Sequence, residues 1–232
     1  MKMKFALVLT LFVCFTSARL ACADEIAGLW IYESFDRPAY GVQPLVGLFL
    51  FNEGRFVHQA MHGSEPMEEQ LTDAHIGRYR FKSNDIVQFD VDTGIVVTPA
   101  GESLLSARSN TSHDVSYKVS GANLFLSFAN GATEKLVKVP NTKVELIDLE
   151  RGTLALTDRH FILVTEPEGG WLAGSGRYEK TGAYIRFEAM RWFEVSDGKA
   201  DYAADETFEA TFDGDMLKLP GGLGFRVSSY IK

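Results

Sequence analysis

Apolar and polar residues alternate along most of the chain in short runs, each closed by Gly, Asn, Asp or Ser. The clearest case is residues 46–62, VGLFLFNEGRFVHQAMH, two extended runs meeting at Asn52, Glu53 and Gly54. A period of two puts every second side chain on one face, so these runs read as half-buried strands joined by a tight hairpin. A weaker copy follows at residues 152–165, GTLALTDRHFILVT, with Arg159, His160 and Phe161 opening its second run as Arg55 and Phe56 do. After each hairpin comes Gly-Arg-Tyr, at Gly77-Arg78-Tyr79 and again at Gly176-Arg177-Tyr178. Further strands are expected at 28–32, 75–81, 85–91, 94–98, 115–119, 123–128, 133–139, 143–148, 184–195, 207–212, 215–219 and 224–231. Residues 100–114 turn polar and read as a long exposed loop, and 65–71 as a helical turn or two.

Short strands at even spacing favour an all-β barrel or sandwich over an α/β sheet. The repeated order of hairpin, Gly-Arg-Tyr strand and further strands predicts a duplication: residues 24–140 as one antiparallel barrel and 141–232 as a second packed against it. One larger barrel shared by two half-repeats is the alternative. Residues 184–195 are expected to put Tyr184, Arg186, Glu188, Met190 and Trp192 on one face and Ile185, Phe187, Ala189 and Phe193 on the other. Arg186 and Glu188 are then expected on an outer face, either solvated or docked between the barrels, with a buried pair at a polar ligand contact as the alternative. Arg78 and Arg177 point outward wherever Tyr79 and Tyr178 point in.

Residues 26–139 resemble the bacterial lipocalin-like domain family, a calycin-type barrel. The positions that carry the likeness are Gly28-Leu29-Trp30, Gly47-Leu48-Phe49, Gly54-Arg55-Phe56 with Gln59 and Met61 downstream, Gly77-Arg78-Tyr79 and Asn123-Leu124-Phe125-Leu126. The second half lacks a Gly-x-Trp opening, and residues 143–148 stand in for that strand. The resemblance implies an up-and-down barrel with a central cavity; it implies no particular activity.

Composition adds a compartment. Residues 1–23 begin MKMK, continue through a short apolar run and end at Ala21-Cys22-Ala23, which reads as a secretory signal peptide. Export to the periplasm or medium is expected, and Arg19 argues against a lipid anchor on Cys22. Both cysteines, Cys14 and Cys22, fall in the leader, so the mature chain is expected to hold together by its core, without a disulfide. Loss of Lys2, Lys4 and Arg19 moves the formal charge from -8 to about -11. Such an acidic surface repels phosphate backbones, so no nucleic-acid partner is expected, and no later apolar run reaches the length of a membrane-spanning helix.

A small barrel either fills its interior with side chains or holds one small ligand. The residues expected to line such a site are Trp30, Phe49, Phe56, His58, Tyr79, Phe89, Tyr178 and Phe187. His58, His75 and Tyr79 are the candidates for moving a proton. His58 and His62, four apart on one strand, share a face, and His75 opens the next strand within reach. Three converging imidazoles would suit zinc, but two strand residues four apart stand about 13 Å from each other along the axis, so no metal and no cofactor are assigned. Signatures of serine hydrolases, nucleotide-binding loops and His-Glu-x-x-His metalloproteases are absent. The leading expectation is a carrier of a small hydrophobic or aromatic molecule. The alternatives are a cyclase- or isomerase-type enzyme and an interaction protein with a filled barrel.

Overall fold

The computed structural model describes residues 25–62, 71–97, 106–108, 110–140, 142–168, 170–196 and 199–231. The first barrel runs through β1 (Gly28–Arg37), β2 (Gly41–Asn52), β3 (Arg55–His62), β4 (Thr72–Phe81), β5 (Ile86–Val97), β7 (Thr111–Ser120), β8 (Asn123–Ser127) and β9 (Thr133–Lys138), each antiparallel to the next. β1 pairs with β9 and closes it; β6 (Ser106–Arg108) lies beside the end of β5. The second barrel uses β10 (Glu145–Leu149), β11 (Gly152–Leu156), β12 (His160–Thr165), β13 (Gly170–Thr181), β14 (Tyr184–Ser196), β15 (Lys199–Phe212), β16 (Met216–Lys218) and β17 (Gly224–Ile231), closed by β10 against β17. The protein is thus two eight-stranded up-and-down barrels packed together, and β10 takes the opening place held by the Gly-x-Trp strand in the first.

Asn52 and Arg55 pair directly, so Glu53 and Gly54 form a two-residue turn. Their φ values of 48° and 78° are both positive, which matches the right-handed twist of the strands. Both Gly-Arg-Tyr segments lie in the fourth strand of their barrel. In each, the glycine sits where the fifth strand bulges: partners jump from Thr93 to Val91 opposite Ile76 and Gly77, and from Arg191 to Ala189 opposite Ser175 and Gly176. Tyr79 is buried inside the first barrel and Tyr178 half-buried inside the second, while Arg78 and Arg177 point out to solvent.

Strand alternation sorts the apolar residues into three cores. Trp30, Phe49, Phe51, Phe56, Tyr79 and Phe89 fill the lower part of barrel one. Phe161, Phe187, Trp192 and Phe212 fill barrel two. The opposite faces of β2 to β5 press Leu48, Leu50, Val57 and Ile76 against Ile162, Val164, Trp171 and Phe193, forming the seam between barrels. Within that seam Ser175 Oγ donates to Gln59 Oε1 at 2.6 Å. At its margin Arg55 makes a two-pronged pair with Asp148, which also accepts from Thr153 and Ser229.

Several local expectations are corrected. β7 begins at Thr111 and β6 spans Ser106–Arg108, so part of the stretch expected to be a loop is strand; Thr111 and Ser112 face water, and the start of β7 carries no apolar alternation. Residues 85–91 and 94–98 are not two strands but one, β5, because the bulge opposite Gly77 absorbs the break. The longest strand is β15, which begins at Lys199 rather than 207; its first half is rich in Ala and Asp, residues of low strand propensity, and shows no clear alternation. The bulge near Met190 inverts the face pattern of β14: Ile185, Phe187 and Ala189 point into barrel two, then Trp192 does, and Phe193 joins the seam. Arg186 and Glu188 lie on the outer face as expected, 3.5 Å apart and about half exposed. The leader, and the helical turn expected at 65–71 except for Leu71, lie outside the described residues.

Candidate functional site

The two ends of barrel one differ. At one end Trp30 is fully buried, its indole donating from Nε1 to the Ile26 carbonyl at 2.8 Å, which plugs the base. At the other end the turn after β1 and the starts of β4 and β9 surround a cavity of about 550 Å³, lined by Phe35, Arg37, Tyr40, His62, Asp73 and Glu134 among others. Below it a second chamber of about 110 Å³ is walled by Phe49, Phe56 and Phe89 with Tyr32, His58 and His113. Asp73, His75, Phe128 and Glu134 border both spaces and form the neck between them.

Register explains why the imidazoles meet. His58 and His75 are direct cross-strand partners on the inward face of β3 and β4. Their rings meet with His58 Nε2 2.9 Å from His75 Nδ1, and Tyr32 Oη lies 3.2 Å from His58 Nδ1. If Tyr32 donates to Nδ1, the His58 Nε2–H donates on to His75; if the tautomer switches, the whole line reverses. His75 is held there by Gly94 directly opposite: a β-carbon on Gly94 would come within 2.1 Å of the His75 ring. His75 is therefore in the middle of β4, not at a strand start as the sequence pattern suggested.

Burial sets the protonation states. It drives the His58 pKa down from 6.5 to about 3, against the opposing pull of Asp73, so His58 is a neutral imidazole at neutral pH. Burial, with Asp73 adding to it, pushes Glu134 well above the usual carboxylate range and toward its protonated form. Tyr32 is likewise raised by burial and stays a phenol. For Asp73 burial works toward a higher value, but contact with His62 and the surrounding imidazoles outweighs it and holds the carboxyl well below its usual range. The His62 Nε2 to Asp73 Oδ1 separation is 3.8 Å, an ion-pair distance rather than a hydrogen bond. A carboxylate and a carboxylic acid thus share one neck, an acceptor beside a donor.

The His58 shift has a measurable consequence. Between pH 3 and 6.5 the unfolded chain protonates this imidazole and the folded chain does not, so stability rises with pH across that window. His58→Leu is expected to reduce the stability lost between pH 6 and pH 4 by about 2 kcal/mol, at a full slope of roughly 1.4 kcal/mol per pH unit. Urea unfolding at the two pH values checks it; an unchanged difference would place His58 in contact with water. Glu134 works the other way, with stability falling as pH rises above its ordinary value of 4.5.

Of the sequence-expected residues, Phe49, Phe56, His58, His75 and Phe89 come together around the inner chamber. Tyr79 is inside the barrel but packs edge-on to Phe51 and Phe81 below it, and Trp30 plugs the base. Tyr178 and Phe187 belong to the other barrel: Phe187 is fully buried core, and Tyr178 donates its hydroxyl to the Thr157 carbonyl at 2.6 Å. Sequence reading missed Tyr32, Asp73, His113 and Glu134. Tyr32 and Glu134 lay on expected strands, and alternation from Trp30 and Leu136 would have turned both inward. Asp73 and His113 fell outside the expected strands. Among the described residues no group of three His, Cys, Asp or Glu side chains has the geometry to hold a metal ion.

The second barrel serves as an internal comparison. Phe56 pairs with Gly77 as Phe161 pairs with Gly176, which aligns the two strand plans. On that alignment His58 corresponds to Leu163, Asp73 to Leu172, and the His75–Gly94 pair to Gly174–Trp192. Tyr32 corresponds to Leu149, His113 to Phe208 and Glu134 to Phe225. In barrel two the indole of Trp192 lies over Gly174, on the strand pair where the His75 ring lies over Gly94 in barrel one. One scaffold therefore exists twice in the chain, once with an apolar interior and once with a polar cavity.

Fold and site together define a double eight-stranded barrel with an aromatic and polar mouth cavity in its first half. Set against family models, curated proteins and solved structures, the chain matches none of them.

Proposed function

We propose that the protein is an exported, lipocalin-like binding protein that takes up a small hydrophobic or aromatic molecule in its first barrel. The observation that carries this is the contrast between the halves: Leu163, Leu172 and Phe225 satisfy the fold where His58, Asp73 and Glu134 stand in barrel one. Buried ionisable groups are costly to keep, and a fold that does without them in one copy has no structural need of them in the other. Aromatic walls with a few convergent polar groups are the usual composition of a ligand pocket. The apolar leader with its small-residue end supports export.

The test is equilibrium binding of naphthalene- and indole-type probes to the mature chain. One probe per chain is expected, and Ala132→Trp, which sets an indole in the mouth, should weaken binding at least tenfold. A stoichiometry of two, undiminished binding by the Trp variant, or no saturable binding at all would count against the assignment.

A second reading has one specific observation in its favour. Asp73 and Glu134 have their pKa values pushed in opposite directions, as an acid and base pair requires, and the Tyr32–His58–His75 line could carry a proton away from them. An isomerase of this kind would exchange solvent deuterium into an enolisable compound held at the neck, and would lose that exchange in Asp73→Asn while still binding.

A further inference from the structure

Arg37 ends β1 at the rim of the outer chamber, its guanidinium 4.7 Å above the Phe35 ring and 5.8 Å from that of Tyr40. Arg55, Arg80, Arg186 and Arg226 all pair with carboxylates. Arg37 does not: among the described residues no acid lies within ion-pair distance, and its Nε is buried without a hydrogen-bond partner. Arg78, Arg151, Arg159 and Arg177 are exposed to solvent, whereas Arg37 combines a place on the cavity wall with a buried, unpartnered nitrogen. A desolvated donor left unpaired destabilises the fold, and a carboxylate bound at the guanidinium would offset this through charge-assisted hydrogen bonds.

The opposite end of the cavity has a different character. The inner chamber holds about 110 Å³, with Phe49 and His58 stacked 4.7 Å apart along one wall and Phe56 and Phe89 beside them. Its size is of the order of an apolar cavity that accepts one six-membered ring, about 150 Å³. Arg37 at the rim stands five positions along the strand from Tyr32 in this chamber, about 16 Å at the usual rise, part of it spanned by the arginine itself. The ionised Asp73 at the neck repels an anion from going deeper, which fixes the orientation: ring inward, charge outward.

We propose that the ligand is an amphipathic aryl carboxylate, with its ring in the inner chamber, its apolar linker against Val96 and Phe128, and its carboxylate on Arg37. This rests on the binding function given above and names the ligand class for that site.

Calorimetric titration of the mature chain with 4-phenylbutyrate, its methyl ester and octanoate tests it. The acid is expected to bind at least tenfold tighter than the ester, and tighter than octanoate. Arg37→Gln should remove that advantage while leaving ester affinity within about twofold, which also reports that the variant is folded. Equal affinity for acid and ester, an acid preference that survives Arg37→Gln, or octanoate binding as well as phenylbutyrate would overturn the ligand class while leaving the cavity a binding site. Binding of none of the three compounds, nor of the neutral aromatic probes, would overturn the binding function itself and the ligand class with it.

Discussion

Gly77→Ala and Gly176→Ala are each expected to cost at least about 3 kcal/mol of stability, enough to leave much of either variant unfolded. The reason is a close approach at the two bulges. A β-carbon on Gly77 would lie 2.1 Å from the Asp90 carbonyl oxygen, and one on Gly176 would lie 2.1 Å from that of Glu188. Both obstacles are backbone atoms of a paired strand, so no side chain can swing away; the bulge has to open or the ladder has to break. Arg78→Ala and Arg177→Ala are the matched controls, since both side chains are exposed, and each should fall within about 0.5 kcal/mol of the parent. Thermal or urea melts of the four variants decide the matter. Wild-type-like melting of the alanine-for-glycine pair would mean that the repeated tripeptide marks something other than a bulge contact.

The second large effect concerns the cavity. Transplanting the interior of barrel two into barrel one, as His58→Leu, Asp73→Leu, Glu134→Phe and the pair His75→Gly with Gly94→Trp, should abolish ligand binding. It should also raise stability by about 1–4 kcal/mol, the range found when buried ionic groups give way to apolar residues of similar size. The same positions already hold Leu163, Leu172, Phe225 and the Gly174–Trp192 pair in a folded barrel of this chain, so the packing solution exists. Loss of binding with a gain in stability is the signature of groups retained for function at the expense of the fold. A transplant that melts earlier than the parent would instead assign the His58–His75 and Asp73–His62 contacts to structure.

The architecture was legible because barrels are specified by local patterns. Alternation in residues 46–62 placed Phe49, Phe56 and His58 on one face, and the turn at Glu53-Gly54 set the hairpin register. The recurrence of hairpin and Gly-Arg-Tyr was enough to align the halves. The errors clustered where period two fails. At Met190 and Asp92 one extra residue flips the face of everything beyond it, which is why Phe193 and Trp192 exchanged roles. The first half of β7 is polar and exposed, and the first half of β15 is rich in Ala and Asp, so neither half-strand showed a period-two apolar pattern.

The site was half legible for a related reason. His58 and His75 could be paired from adjacent strands, whereas Glu134 reaches the same neck from β9, about sixty residues further along the chain, and only closure of β1 against β9 brings it there. Taken alone, the amino-acid order determined the strands, the duplication and the inward aromatic faces, because each depends on neighbours within a few residues. Barrel closure decided the rest: where the chambered cavity opens, which carboxyl holds its proton and which arginine buries an unpartnered nitrogen. Those properties follow from burial and from side chains converging across the sheet, and both are fixed only when the ends of the barrel meet.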